Sequence, residues 1–163
     1  MRLIILNGPS GVGKTTVARL LSQKSESSVC IHGDVLREMI VSRDGSEDGR
    51  LGYRNGALLV NNFKDASYDL IVFDYIFPSN EHLEFFIGLL QDFSSAFIFT
   101  LWAAERVVQG RRRERDRDDR RFSVADSYDE LQSNLQDFKT VIETDDLSPE
   151  QIADDIWDRV HMK

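Results

Sequence analysis

Five short apolar runs punctuate the chain: Leu3-Ile4-Ile5-Leu6, Ser28-Val29-Cys30-Ile31, Leu70-Ile71-Val72-Phe73, Ala96 to Leu101 and Thr140-Val141-Ile142. Apolar residues at consecutive positions, without alternation, predict strands covered on both faces. The stretches between them are long enough for helices, over 14–25, 34–42, 51–66, 80–92, 104–138 and 149–161. The last has a defined start: Ser148 as N-cap, Pro149 at the first helical position and Gln151 completing a capping box. Its stripe of Ile152, Ile156 and Val160 recurs every four residues. Strand and helix alternating along the chain predict an α/β fold with a parallel sheet. No repeat or Pro-rich linker interrupts the pattern, and only three prolines are present. One domain over 1–163 is therefore expected.

Composition narrows the function classes. Of 163 residues, 41% are hydrophobic and 29% charged, enough apolar content to exclude wholesale disorder. Twenty basic against 28 acidic residues leave a net charge of -8, which counts against long nucleic acid or an anionic membrane as partner. The N-terminal apolar stretch is too short for a signal peptide, and no run approaches the ~20 residues of a membrane span. A single cysteine, Cys30, forbids an internal disulfide, and a reducing, cytoplasmic setting is the expectation. His32, His82 and His161 are scattered, with no cysteine partners and no metal-site spacing expected.

Candidate chemistry is concentrated at Gly8-Pro9-Ser10-Gly11-Val12-Gly13-Lys14-Thr15, followed by Thr16. Gly, four residues, then Gly-Lys-Thr is the P-loop pattern, here between a predicted strand and a predicted helix. Its glycines let successive backbone N–H groups turn toward phosphate oxygens. Lys14 reaches the β- and γ-phosphates, Thr15 offers its hydroxyl to Mg²⁺, and the helix N-terminus favours the anion. Leu70-Ile71-Val72-Phe73-Asp74 reads as the partner strand, ending in a carboxylate placed to hold Mg²⁺ beside Thr15.

Several P-loop classes do not fit. The chain has no Asn-Lys-x-Asp motif for guanine and no Leu-Ser-Gly-Gly-Gln signature. It is too short for a typical AAA+ or RecA-type motor with extra sensor elements. The P-loop is similar to that of guanylate kinase, but the Arg- and Tyr-rich GMP-binding segment of that family is not seen. Over its whole length the chain resembles the small P-loop kinases: shikimate and gluconate kinases, chloramphenicol phosphotransferase and the 5'-hydroxyl polynucleotide kinases. The resemblance implies a five-stranded sheet of order 2-3-1-4-5 with helices on both faces. It also implies an acceptor-binding insert at about 34–66 and an Arg-rich lid at about 106–125.

Within Ile31-His32-Gly33-Asp34-Val35-Leu36-Arg37, Asp34 matches the residue that takes the acceptor proton in chloramphenicol phosphotransferase and polynucleotide kinase. A carboxylate suits that task, because the alcohol becomes acidic as it attacks phosphorus. Arg37, one helical turn on, is placed for an anionic acceptor group. Asp-x-x-Arg also resembles the adenylate kinases, where the Arg holds the acceptor phosphate. The other signal is 111–121, with seven Arg and four acids, a local charge of +3 in a chain otherwise at -11. Arg111 and Arg115, at i and i+4, are expected to face the transferring phosphoryl group, with Arg112 next. The alternative for this run is a solvated helix laced with weak ion pairs. Glu143-Thr144-Asp145-Asp146 is placed like the loop bordering adenine in small kinases. Tyr75 and Phe77-Pro78 are candidates for the acceptor pocket, while Trp102, Trp157, Cys30 and Phe85-Phe86 read as core. Residues 43–49 read as a polar loop.

The expectation is a phosphotransferase moving the γ-phosphoryl of ATP, with Mg²⁺, to a hydroxyl of a small-molecule acceptor. Two other readings stand beside it: a nucleotide or nucleic-acid 5'-end kinase, and a nucleotide-sensing module that hydrolyses ATP slowly. The acceptor and the oligomeric state are not legible in the sequence.

Overall fold

A computed structural model describes residues 1–39, 50–91, 96–115 and 124–162, and the polar loop at 43–49 lies outside them. The five apolar runs form five strands: β1 (Arg2–Asn7), β2 (Ser28–His32), β3 (Leu70–Asp74), β4 (Ala96–Trp102) and β5 (Val141–Glu143). They make one parallel sheet in the order β2-β3-β1-β4-β5. The helices are α1 (Lys14–Ser22), α2 (Gly33–Glu38), α3 (Leu51–Asp65), α4 (Asn80–Gly88), α5 (Glu105–Arg115), α6 (Val124–Ser133) and α7 (Pro149–His161).

The sheet is hydrophobic on both faces because helices cover both. Alternate residues Ile4, Leu6, Leu70, Val72, Phe99 and Leu101 pack on one face against Val17 and Leu21 of α1 and Ile152, Ile156 and Val160 of α7. Leu3, Ile5, Ile71 and Phe73 pack on the other against Tyr53, Ala57 and Val60 of α3 and Leu83 and Phe86 of α4. The predicted capping box forms. Ser148 Oγ accepts from the Gln151 N–H at 3.3 Å, and Gln151 Oε1 accepts from the Ser148 N–H at 2.8 Å.

Two helix expectations are corrected. The helix expected over 14–25 ends at Ser22, capped by Gln23. The one expected over 80–92 ends at Gly88, capped by Leu89; within 104–138 the described residues form α5, α6 and a 3₁₀ turn at Leu135–Asp137, and residues 116–123 lie outside them.

Parallel order matters for function because all five strands end at the same edge. β1 delivers the P-loop there, β3 delivers Asp74, and β2 delivers His32 and the start of α2. Strand order places β3 and β4 on either side of β1, so residues 74–77 and 100–102 flank the P-loop. This edge is where open α/β sheets bind ligands.

Candidate active site

Asn7 anchors the loop at its root. Fully buried, it accepts with Oδ1 from the N–H groups of Gly8 (2.7 Å) and Phe77 (2.8 Å). Its Nδ2 donates to Phe77 O (3.2 Å) and Thr100 Oγ1 (3.3 Å). One amide thus ties together the ends of β1, β3 and β4. Sequence reasoning passed over this residue; the only signal was a polar side chain at the end of a run of four apolar ones.

Beyond it, Gly8, Gly11 and Gly13 have φ of 144°, 90° and 111°, a region closed to most side chains. A Cβ on Gly8 would meet Leu101 O at 2.4 Å, and one on Gly11 would meet Arg112 Cγ at 2.4 Å. The first two glycines therefore serve close packing as well as backbone turning. Lys14 is buried, and its ammonium donates to Gly8 O (2.7 Å) and Pro9 O (3.0 Å), held inside the loop it is expected to serve.

At the start of α1, Thr15 Oγ1 donates to Asp74 Oδ1 at 3.4 Å. Asp74 is 1% exposed. A hydroxyl and a buried carboxylate meeting beside the P-loop are hard oxygen ligands, the kind Mg²⁺ takes alongside phosphate. The donor set therefore fits the expected metal.

Asp74 has a second partner that the sequence did not foretell. His32 and Asp74 are register partners on neighbouring strands, and His32 Nδ1 lies 2.5 Å from Asp74 Oδ2. This hydrogen bond pushes the His32 pKa up to about 10, helped by Cys30 and opposed by partial burial. Cys30, two residues earlier on β2, sets its Sγ 3.7 Å from His32 Nε2 and 3.9 Å from Nδ1. The expectation that no histidine has a cysteine partner is overturned, because residues i and i+2 of a strand share one face. Cys30 is likewise only partly buried.

Asp34 lies in the first turn of α2 and is exposed, as is Arg37 one turn later. Between them and the sheet sits Tyr75, 6% exposed. Its ring is admitted by two glycines. A Cβ on Gly33 would meet Tyr75 Cδ2 at 2.3 Å, and one on Gly52 would meet the hydroxyl at 2.7 Å. Burial raises the Tyr75 pKa, with Arg37 lowering it and Asp34 raising it, so both charges lie within electrostatic reach of the phenol. Tyr53 joins this group, edge-on to Tyr75 at 5.3 Å and stacked on Phe77 at 5.2 Å.

Arg111 reaches from α5 to the P-loop. Its Nη1 donates to Val12 O and Thr144 Oγ1, both at 3.1 Å, and its Nη2 donates to Thr144 O at 2.6 Å. Three bonds to the P-loop and to the end of β5 make it a brace across the site. The cause is position. Arg111 is far enough along α5 to reach back over the P-loop, and the fully buried Thr144 presents a carbonyl there that also accepts from the Leu147 N–H at 3.4 Å. Arg112, the next residue, also lies against the P-loop. Its aliphatic stem packs on Gly11, and its Nε is buried without a hydrogen-bond partner. The Arg115 side chain lies outside the described residues, as does the remainder of the basic run, 116–121.

Beside the brace opens a cavity of about 250 Å³, lined by Gly11, Val12, Thr16, Arg111, Leu147 and Pro149 among others. It adjoins the 143–146 segment expected to border adenine, and Leu147, Pro149 and Ile152 give it apolar walls of the kind a planar base requires.

Solved structures share this architecture. A tunicamycin resistance protein of Deinococcus radiodurans is 25% identical, over 98% of this chain and 95% of its own, with a TM-score of 0.73. The APS kinase of Mycobacterium tuberculosis, solved with AMPPNP and APS, is 19% identical over 98% of this chain and 96% of its own, TM-score 0.70. The shikimate kinase of Acinetobacter baumannii, solved with shikimate, is 18% identical over 98% and 93%, TM-score 0.61. The P-loop kinase-like fold is thereby shown, in the strand order the resemblance implied. No curated protein matches the chain by sequence. Residues 3–138 match the model of the AAA_33 family, described as an AAA domain, and the chain belongs to that family of P-loop domains.

Proposed function

We propose that the protein is a phosphotransferase that moves the γ-phosphoryl of ATP to a hydroxyl of a small molecule. The observation that carries this reading is the meeting of Thr15 with buried Asp74 beside a P-loop that already encloses Lys14. The cavity walled by Arg111, Leu147 and Pro149 suits the adenine base. Its likeness to a tunicamycin resistance protein supports a small molecule as acceptor over a polymer.

In this reading the P-loop N–H groups at 8–16 cradle the phosphates, and Lys14 leaves the Gly8 and Pro9 carbonyls to bind the β- and γ-phosphates. Thr15 and Asp74 would hold Mg²⁺, which neutralises charge on the phosphate oxygens. Arg112 directs its unpartnered Nε to phosphate, and Arg111 keeps the base cavity in shape. Asp34 orients the acceptor hydroxyl and receives its proton. Arg37 and Tyr75 bind the acceptor on the side of α2 and α3. One domain would thus combine a nucleotide half, an acceptor insert at 34–66 and a lid at 106–125, and its proposed setting is the cytoplasm. Among the described residues no helix is long and apolar enough to cross a membrane.

Asp34→Asn separates chemistry from nucleotide binding. It keeps size and removes the proton acceptor. Single-turnover transfer is expected to fall by about 10²–10⁴, the range for a positioned base, with ATP affinity little changed. Unchanged transfer would remove Asp34 from the mechanism. Loss of both together would move it to the metal site.

A further inference from the structure

The reaction proposed above uses one oxygen of Asp74 and leaves the other to a cluster it does not need. Cys30 Sγ, His32 imidazole nitrogen and a carboxylate oxygen of Asp74 all lie within 4.8 Å of one another. The fold fixes this arrangement. Cys30 and His32 are two apart on β2 and share a face, and Asp74 is the register partner of His32 on β3. All three ligand atoms therefore sit on two hydrogen-bonded, paired strands.

We propose that Cys30, His32 and Asp74 form a binding site for a transition-metal dication of the Zn²⁺ type. Thiolate, imidazole and carboxylate are the ligand types Zn²⁺ takes, whereas Mg²⁺ takes oxygen and avoids sulfur. Bond lengths of about 2.0–2.3 Å at tetrahedral angles require ligand atoms roughly 3.3–3.7 Å apart. With His32 Nδ1 as the imidazole ligand, the Cys30 Sγ–Nδ1 separation of 3.9 Å needs to close by only a few tenths of an ångström. The His32–Asp74 pair, now joined by a hydrogen bond, has to open by somewhat under about 1 Å as the imidazole gives its proton to solvent. The fourth position is left for water, as in open zinc sites. His32 keeps 17% of its side chain exposed and Asp74 1%, so the ligands are largely shielded while the imidazole side stays reachable.

The site stands back to back with the position expected for Mg²⁺. Oδ1 of Asp74 faces Thr15, and Oδ2 faces His32. One carboxylate serving two dications lowers the affinity of each for the other, and this antagonism is reciprocal. Zn²⁺ at Cys30 would therefore inhibit phosphoryl transfer by raising the Mg²⁺ requirement. This consequence rests on the proposed function; the site itself does not.

Titration of the full-length chain with Co²⁺ tests the site without reference to activity. Cys30 is the chain's only cysteine, so a thiolate-to-Co²⁺ charge-transfer band can arise from no other residue. The expected result is a band saturating at one Co²⁺ per chain. It should be absent in Cys30→Ser and displaced by Zn²⁺. Co²⁺ affinity should drop at least about 10- to 100-fold in His32→Ala, the range seen when even an outer-shell partner of a metal site is lost. A thermal melt of each variant confirms that it is folded, and Cys30→Ser is the conservative change that keeps the strand. No thiolate band at saturating Co²⁺, a band unaltered by His32→Ala, or one Co²⁺ per two chains would overturn the proposal. In a second arm, Zn²⁺ should raise the Mg²⁺ concentration needed for half-maximal turnover in the wild type and leave Cys30→Ser unaffected. A Co²⁺ band with no change in Mg²⁺ requirement would overturn the antagonism and leave the site standing. A band in a protein that turns over no ATP would refute the kinase reading alone.

Discussion

Arg111→Ala distinguishes a brace from a lid. The wild-type guanidinium donates three hydrogen bonds, at 3.1, 3.1 and 2.6 Å, to Val12 O and to the two oxygens of Thr144. Bonds from a charged donor contribute about 1.5–3 kcal/mol each when well shielded. Arg111 is half-buried, and Thr144 O keeps a second partner in the Leu147 N–H at 3.4 Å. Discounting for both, the truncation should cost about 2–3 kcal/mol in all. For a domain of this size that lowers Tm by about 4–12 °C. Nucleotide binding should weaken as well, by about 10-fold, because the cavity loses the wall that Arg111 forms. Arg111→Lys should recover less than half of either loss, since one ammonium cannot span carbonyls on two elements. Calorimetry with and without ATP reads both effects. Unchanged Tm and unchanged ATP affinity, with kcat alone reduced, would refute the brace and return Arg111 to the transferring phosphoryl group.

Other perturbations probe separate parts of the site. Asn7→Leu fits the volume but strands the Gly8 and Phe77 N–H groups, so it should destabilise by about 2–4 kcal/mol in chemical denaturation; a loss under 0.5 kcal/mol, the scatter of neutral substitutions, would show that the anchor is dispensable. Lys14→Ala should cut ATP turnover by at least about 10²–10³, the effect of removing one charge-stabilising donor; full turnover would end the P-loop assignment. In metal-free buffer, His32 should make stability pH-dependent. Its folded pKa of about 10 stands above the ordinary 6.5, so the stabilisation is complete below pH 6.5 and is lost as pH rises toward 10. His32→Asn should flatten that slope in melts taken across the window, and an unchanged slope would assign it to other groups.

The fold was legible because strand runs such as Leu3–Leu6 and Leu70–Phe73 are apolar at every position, a signature of a sheet covered on both faces. The strand order was not contained in that pattern; it came with the resemblance, and the sheet bears it out. The P-loop was legible because phosphate binding by backbone demands glycines at fixed spacing. What escaped was whatever depends on which neighbours a strand acquires. Asn7 shows only as a polar residue after an apolar run, and its role exists because β3 and β4 flank β1. The Cys30–His32–Asp74 cluster needs β2 paired with β3 in one register; a shift of one residue would turn Asp74 to the opposite face. Arg111 and Arg115 were grouped by helical spacing, which says which residues share a face but not what that face meets. The opposing surface proved to be Val12 and Thr144, and carbonyls there took the guanidinium.

Incubation of the protein with γ-radiolabelled ATP, Mg²⁺ and pooled alcohols, sugars, nucleosides and hydroxylated antibiotics tests the central claim most directly. The account predicts label on an organic acceptor, abolished in Lys14→Ala and reduced by about 10²–10⁴ in Asp34→Asn. Label recovered only as inorganic phosphate, at one rate in wild type and Asp34→Asn whatever acceptor is present, would contradict it.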